Sequence, residues 1–247
     1  MTSRLGPDGR WVAIAVDHPL YSWPCHRLED RAQLLRVVAG AGADAVIASY
    51  GTIRDCREAF GQAKPVLKLD LTTVTVGGYY PVSEFTPAWN LDDARRLGVD
   101  TVLTYVQLGA PFELKALRAA GRVAAACDEA GLTYVCEIMP VESDRFREPQ
   151  GAVEIAAVCR VGAELGAHVI KTTLPRPTSG LRQATAFGVP VLVAGGARVD
   201  DRGALLAAVR EAMAAGAAGV AFGRNVWGAP DPADVVSALR DIVHGCG

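Results

Sequence analysis

What the chain lacks narrows the possibilities first. Its six cysteines, at 25, 56, 127, 136, 159 and 246, form no CxxC pair, and no histidine stands at zinc-finger spacing from them. That excludes a disulfide framework and a zinc ribbon, and leaves scattered reduced thiols of the kind expected of a cytoplasmic protein. Charge of one sign is also missing: 25 Lys and Arg face 27 Asp and Glu, a net charge of −2. Without a basic stripe, neither nucleic acid nor an anionic membrane surface is an expected partner. No apolar run approaches the 18 or so residues of a membrane span, and the opening MTSRLGPDGR is too polar for a secretion signal. No GxGxxG follows the first strand-like segment, which removes the usual dinucleotide fingerprint.

What is present is a regular alternation. Half of the 247 residues are hydrophobic, and Gly and Pro number 26 and 14, an ordinary globular balance. Strand-like runs fall at WVAIAVD (11–17), DAVIASY (44–50), PVLKLDL (65–71), DTVLTYV (100–106), TYVCEIM (133–139), HVIKTTL (168–174), PVLVAGG (190–196) and AGVAFGR (218–224). Between them lie amphipathic segments such as 31–40, 113–130 and 204–215. Glycine-bearing joints (AGAD, LGVD, AGLT, LGAH, FGVP, AGAA) lead from helix back to strand, as a left-handed C-cap requires. Eight units in 247 residues give about 31 residues each, the size of one strand, one helix and two loops. The expectation is an α/β fold, a (β/α)8 TIM barrel spanning 1–247 as one domain. An open doubly wound sheet is the alternative. The longest irregular stretch, 72–90, reads as an active-site loop.

In such a barrel the chemistry gathers where strands end, and alternation tells which side chains point inward. Strand 1 places Ala13, Ala15 and Asp17 on one face; strand 3, Val66, Lys68 and Asp70; strand 5, Val135, Glu137 and Met139; strand 6, Val169, Lys171 and Thr173. An ionic group inside an apolar strand is costly unless paired or facing a cavity, so these groups are expected to share one polar pocket. Lys171 reads either as a structural lysine paired with Asp17 or Glu137, or as a nucleophile. In the second role, an apolar wall and a nearby cation, Lys68, would lower its pKa and ready it to form a Schiff base. Glu137 and Asp17 are candidates for the general acid and base, or are plain ion-pair partners. Tyr105 could donate a proton or only pack its ring.

The last two strands end in AGGAR (194–198) and FGRNVWG (222–228). Glycines there let backbone N–H groups approach a ligand, and the loops after strands 7 and 8, with a short helix at 225–228, form the usual barrel phosphate site. Gly195, Gly196, Gly223 and Arg224 are therefore the candidate phosphate ligands, with a tight turn as the alternative. His18 and His26 beside Asp17 make a thin metal set, so no metal is expected. Arg176 and Arg198 are candidates for a second phosphate or another charged end. Trp23, Trp89, Tyr79 and Tyr80 fall in loops that either wall the pocket or meet a neighbouring subunit.

These residues, AVDHP (15–19), VIKTT (169–173), VLVAGGAR (191–198) and AGVAFGRNVW (218–227), together resemble the class I, lysine-dependent aldolases of the archaeal-type fructose-bisphosphate aldolase superfamily, the DeoC/FbaB/LacD-like aldolases. The resemblance implies a (β/α)8 barrel, a Schiff base on Lys171, proton transfer by Asp17, a substrate phosphate on Gly195, Gly196, Gly223 and Arg224, and no cofactor. Lys68 matches the strand 3 lysine of the family. It also implies a homo-oligomer. Two departures bear on substrate. Met139 stands where the archaeal fructose-bisphosphate aldolases have an acid/base tyrosine, and Glu137 where tagatose-bisphosphate-type aldolases carry glutamate. The expected activity is carbon-carbon bond making or breaking in a phosphorylated ketose or related keto compound. The alternatives are a phosphosugar isomerase using Asp17 and Glu137, and a catalytically silent sugar-phosphate-binding barrel.

Overall fold

A computed structural model of the chain describes residues 4–25, 27–76 and 84–245. Eight parallel strands close into a barrel: β1 (Trp11–Ala15), β2 (Ala45–Ala48), β3 (Lys64–Lys68), β4 (Thr101–Leu108), β5 (Thr133–Pro140), β6 (Val169–Thr173), β7 (Val191–Ala194) and β8 (Gly219–Phe222). Each strand hydrogen-bonds to its neighbours in sequence, and β8 returns to β1 with Trp11 opposite Gly219. The helices are α1 (Arg31–Gly40), α2 (Tyr50–Asp55), α3 (Leu91–Arg96), α4 (Glu113–Ala130), α5 (Ala152–Glu164), α6 (Leu181–Thr185), α7 (Arg202–Ala214), α8 (Arg224–Trp227) and α9 (Pro232–Val243).

Local chemistry sets the boundaries. Asp30, Ser49, Asn90, Asp201 and Asp231 each cap a helix by accepting a backbone N–H from its first turn, a contribution of about 1 kcal/mol apiece. The glycines of the six helix-ending joints all have φ between +63° and +97°, the left-handed geometry anticipated from their positions. Six of the barrel strands are shorter than their apolar runs suggest, while β4 and β5 are one residue longer. β1 stops at Ala15, so Asp17 and His18 lie in the turn of 3-10 helix that follows, and β8 stops at Phe222, leaving Gly223 and Arg224 to the next loop and helix. Near the open end, short pairings tie the loops down: Ser22–Trp23 with Thr75–Val76, and Asp70–Leu71 with Thr86–Pro87.

Two cores result from the alternation. Ala13, Ala15, Ala45, Ile47, Val66, Leu103, Val135, Val169, Leu192 and Ala221 fill the barrel interior; the opposite parity, including Ile14, Val46, Leu67, Tyr134, Ile138 and Ile170, packs beneath the helices. The outer layer fixes the strands that matter most for chemistry. Gly162 of α5 lies so near β5 and β6 that a Cβ there would sit 3.3 Å from Ile170 and 3.4 Å from Ile138. Each isoleucine is the chain neighbour of an inward ionic residue, Lys171 or Glu137. Truncating Ile138, fully buried, to alanine would cost roughly 2–5 kcal/mol and loosen that support. Among the described residues no helix is long and apolar enough to cross a membrane.

Candidate active site

A cavity of about 300 Å³ opens at the C-terminal ends of the strands. It is lined by Asp17, Lys68, Tyr105, Glu137 and Lys171 together with Gly195, Gly196, Gly223 and Arg224, so these nine sequence candidates reach one chamber. Registration explains the grouping. Lys171 lies directly opposite Glu137 across the β6–β5 ladder, and Glu137 opposite Tyr105 across β5–β4. Inward side chains at matched levels of adjacent strands necessarily meet.

Lys171 is 5% exposed, and its Nζ lies 2.7 Å from Glu137 Oε1. Lys68 is 2% exposed and bonds Asp70 Oδ1 at 2.6 Å, while Asp70 Oδ2 accepts the Tyr105 backbone N–H at 2.5 Å. The Lys68 ammonium also lies 5.0 Å from the Phe85 ring centroid and 5.6 Å from that of Tyr105, favourable cation–π distances. Burial works against the Lys68 charge, but the carboxylates of Asp70, Asp17 and Glu137 outweigh it and hold its pKa above the ordinary lysine value. Lys68 is therefore a fixed cation, committed first to Asp70. The other two lysines of the chain, Lys64 and Lys115, pair with Asp100 and Glu84 away from this chamber.

Tyr105 donates to Met139 Sδ at 3.4 Å and accepts from Gln107 Nε2 at 3.4 Å. Burial, reinforced by the Glu137 charge, pushes its phenol up to about 12, so it stays protonated. Asp17 is buried, and its Oδ1 has no hydrogen-bond partner among the described residues; the nearest cationic candidate, His18 Nδ1, is 3.9 Å away. His18 itself is pushed down to about 3, by burial first and then by Lys171 and Arg224, and is a neutral ring at ordinary pH. It packs edge-on against Trp227, 5.2 Å between centroids.

The glycine loops are held from behind. Asn225 donates to the carbonyls of Gly195 (2.7 Å) and Ala197 (3.1 Å) and accepts the Val199 N–H (2.7 Å), stapling the loop after β7 to α8. Gly196 has φ +63°, and a Cβ on Gly223 would stand 2.7 Å from His18 Cε1, so both positions require glycine. Arg224 opens α8 on the same side.

Other sequence candidates lie elsewhere. Arg176 and Arg198 line a second cavity of about 430 Å³, which meets the first along Thr173, Ala194, Gly195 and Gly196. Trp89 stacks on Tyr50 at 5.9 Å and Trp23 is exposed; neither lines the chamber. His26, Tyr79 and Tyr80 fall outside the described residues, as does Cys246. Among the described residues no cluster of His, Cys, Asp or Glu is arranged to hold a metal ion.

Several residues in or beside the chamber were not selected from sequence. Gln107 and Thr173 share the inward parity, two positions beyond Tyr105 and Lys171, so that signal was available. Asp70 stood on the Lys68 face, but its grip on that lysine depends on the turn after β3. Phe85 comes from an irregular loop with no periodicity to mark it.

Comparison with known proteins gives this chamber its context. The family model for DeoC/LacD family aldolases matches residues 11–229, a span that takes in all eight strands and the whole cavity lining. A 2-amino-4,5-dihydroxy-6-oxo-7-(phosphonooxy)heptanoate synthase of Streptomyces griseus is 30% identical over 98% of this chain and 87% of its own. A 2-amino-3,7-dideoxy-D-threo-hept-6-ulosonate synthase of Halobacterium salinarum is 30% identical over 98% of this chain and 89% of its own. Among solved structures, an archaeal fructose 1,6-bisphosphate aldolase superposes with a TM-score of 0.87 at 24% identity, covering 99% of this chain and 98% of the other. A second, also at TM-score 0.87 and 24% identity over 99% and 98%, has its catalytic lysine covalently bound to the carbinolamine intermediate of the substrate. Between the isomerase, the silent barrel and the aldolase, the family decides for the last. The chain belongs to the DeoC/LacD aldolase family and is a class I, Schiff-base-forming enzyme of the aldolase type.

Proposed function

We propose that Lys171 is the Schiff-base lysine and that the enzyme makes or cleaves the bond between the carbons α and β to the carbonyl of a phosphorylated ketose or related keto compound. The observation that carries this reading is the Lys171–Glu137 pair, 2.7 Å apart and buried in the same chamber as the glycine loops and Arg224. That contact lets the ammonium proton pass to Glu137 as the substrate arrives, freeing the Nζ lone pair to attack the carbonyl carbon. The carbonyl π pair moves to oxygen, which takes a proton, and loss of water leaves the iminium. In cleavage, a carboxylate removes the proton of the hydroxyl β to the iminium. The adjacent carbon-carbon bond breaks, its electron pair entering the enamine, and the aldehyde departs. Protonation of the enamine and hydrolysis of the iminium return Lys171. Asp17 and Glu137 are the carboxylates for these transfers, with Tyr105 as a protonated donor.

Gly195, Gly196, Gly223 and Arg224 are the proposed phosphate ligands, supported by the fixed loop backbone and the adjoining cation. Lys68 contributes positive charge to the chamber while bonded to Asp70. The same reading takes 1–247 as one aldolase domain working without metal or cofactor, as a cytoplasmic homo-oligomer. The free state of the five described cysteines suits a reducing compartment.

The test is Lys171→Ala assayed with dihydroxyacetone phosphate as keto donor. The expected result is a folded protein with neither aldol turnover nor a borohydride-trapped adduct; undiminished turnover would refute the mechanism.

A further inference from the structure

The second cavity takes no part in the chemistry assigned to Lys171, yet at about 430 Å³ it has the size of a small-molecule site, roughly 300–1,000 Å³. It lies between the loops that follow β6 and β7, with α7 contributing Ala204, Leu205, Ala208 and Val209 to its lining. Both loops are pinned. On the β6 side the Arg176 N–H donates to the Gln150 carbonyl at 2.7 Å; on the β7 side the Val199 N–H donates to Asn225 Oδ1 at 2.7 Å. The walls therefore stand in place without a ligand, which spares a binding partner the entropy of ordering them.

Two features of the lining select what can enter. The interior is apolar: Val193, Leu205, Val209 and Phe222 are buried side chains that reach it, and Val199 beside them is 43% exposed. The charge is of one sign: Arg176 and Arg198 line the cavity, and no carboxylate appears among its described lining residues, in a chain whose net charge is −2. Among the described residues the Arg176 side chain has no hydrogen bond or ion pair. Arg198 meets Asp200 at 3.4 Å in solvent, a contact that water screens and that an incoming anion can displace. A guanidinium offers a planar fork of N–H donors that matches the oxygens of a carboxylate, sulfonate or phosphate. A neutral apolar molecule would leave both forks unused, and a fully polar anion would leave the floor uncovered.

We propose that this cavity is a second ligand site, one that takes a small molecule with an oxyanion head and an apolar body. The head is held by Arg176 and Arg198, and the body packs on Val193, Leu205 and Phe222. The site is separate from the Schiff-base chemistry and stands whether or not Lys171 is the nucleophile.

The experiment titrates the full chain with two fluorescent probes, 8-anilinonaphthalene-1-sulfonate and its uncharged counterpart N-phenyl-1-naphthylamine. The expected result is saturable binding of one sulfonate per chain, with a Kd at least tenfold lower than that of the amine. Arg176→Glu, at an exposed position, should raise the sulfonate Kd at least tenfold. Ala208→Trp, which puts an indole into the cavity from α7, should raise the Kd of both probes at least tenfold; thermal transitions verify that each variant is folded. Saturating dihydroxyacetone phosphate should change the sulfonate Kd less than threefold. Absence of saturable binding to the unaltered chain would overturn the site, and equal Kd values for the two probes, or an unchanged sulfonate Kd in folded Arg176→Glu, would overturn the anionic class. An unchanged Kd in folded Ala208→Trp, or full displacement by dihydroxyacetone phosphate, would place the probe elsewhere and contradict the assignment.

Discussion

The two ends of the barrel each hold a histidine, and opposite fields act on them. At the catalytic end His18 is pushed down to about 3, by burial and then by the cations Lys171 and Arg224. At the other end His244 hydrogen-bonds to the accepting carboxylates of Asp8 (2.6 Å) and Asp44 (2.7 Å), which outweigh its burial and raise its pKa above the usual 6.5. Asp44 also accepts the Val12 N–H at 2.6 Å, so His244 ties the segment after α9 to the first strand. The same residue type is thus a neutral wall where cations gather for chemistry, and a clamp whose charged form is favoured where carboxylates gather for stability. In this barrel the lower end is built to hold, the upper to react.

Removing the groups that make the upper end reactive should have the largest effects. Lys171→Met is expected to lower turnover by at least about 10⁴-fold with secondary structure retained, read by steady-state kinetics beside circular dichroism. Glu137→Gln leaves the lysine without its proton acceptor and should reduce kcat by roughly 10²–10³-fold, while borohydride still traps an adduct, formed more slowly. A Glu137→Gln enzyme with full kcat would assign the proton transfers elsewhere.

The histidines test the contrast through pH. For His18 the folded pKa lies below the unfolded one, so the unfolded chain binds the extra proton between about 3 and 6.5. Stability is present above pH 6.5 and is lost as pH falls through that window, by on the order of 3 kcal/mol near pH 4. His18→Gln should flatten this part of the denaturation-versus-pH curve. His244 has the reverse sign. Its raised folded pKa adds stability that is complete below pH 6.5 and fades as pH rises through the folded value. His244→Ala should cost about 1–2 kcal/mol at pH 6, less at pH 9, and leave kcat unchanged. Matching pH profiles for the two variants would erase the distinction between the ends.

Much of this was legible in the residues. Eight apolar runs with glycine joints specified the barrel, and period-two alternation put Lys68, Glu137 and Lys171 on its inner face. The partners were not legible. Lys171 meets Glu137 because of the β5–β6 register, and no local pattern states a register. Lys68, expected to act on Lys171, is bound first to Asp70, a contact created by the turn after β3. Burial keeps His18 neutral, helped by a field assembled from β3, β6 and α8, segments far apart in the chain, so His18, His26 and Asp17 looked like a thin metal set. Arg176 and Arg198 sat at the right strand ends, yet they line a second cavity that adjoins the first.

Peptide mapping of the borohydride-reduced complex with dihydroxyacetone phosphate bears most directly on the chemistry of the upper end, because the chain offers only four lysines to choose from, Lys64, Lys68, Lys115 and Lys171. One reduced adduct per chain, on the peptide containing Lys171, is the expected result. Modification of Lys68 in its place, or of no lysine in a protein shown to be folded and active, would contradict the assignment of Lys171 as the nucleophile.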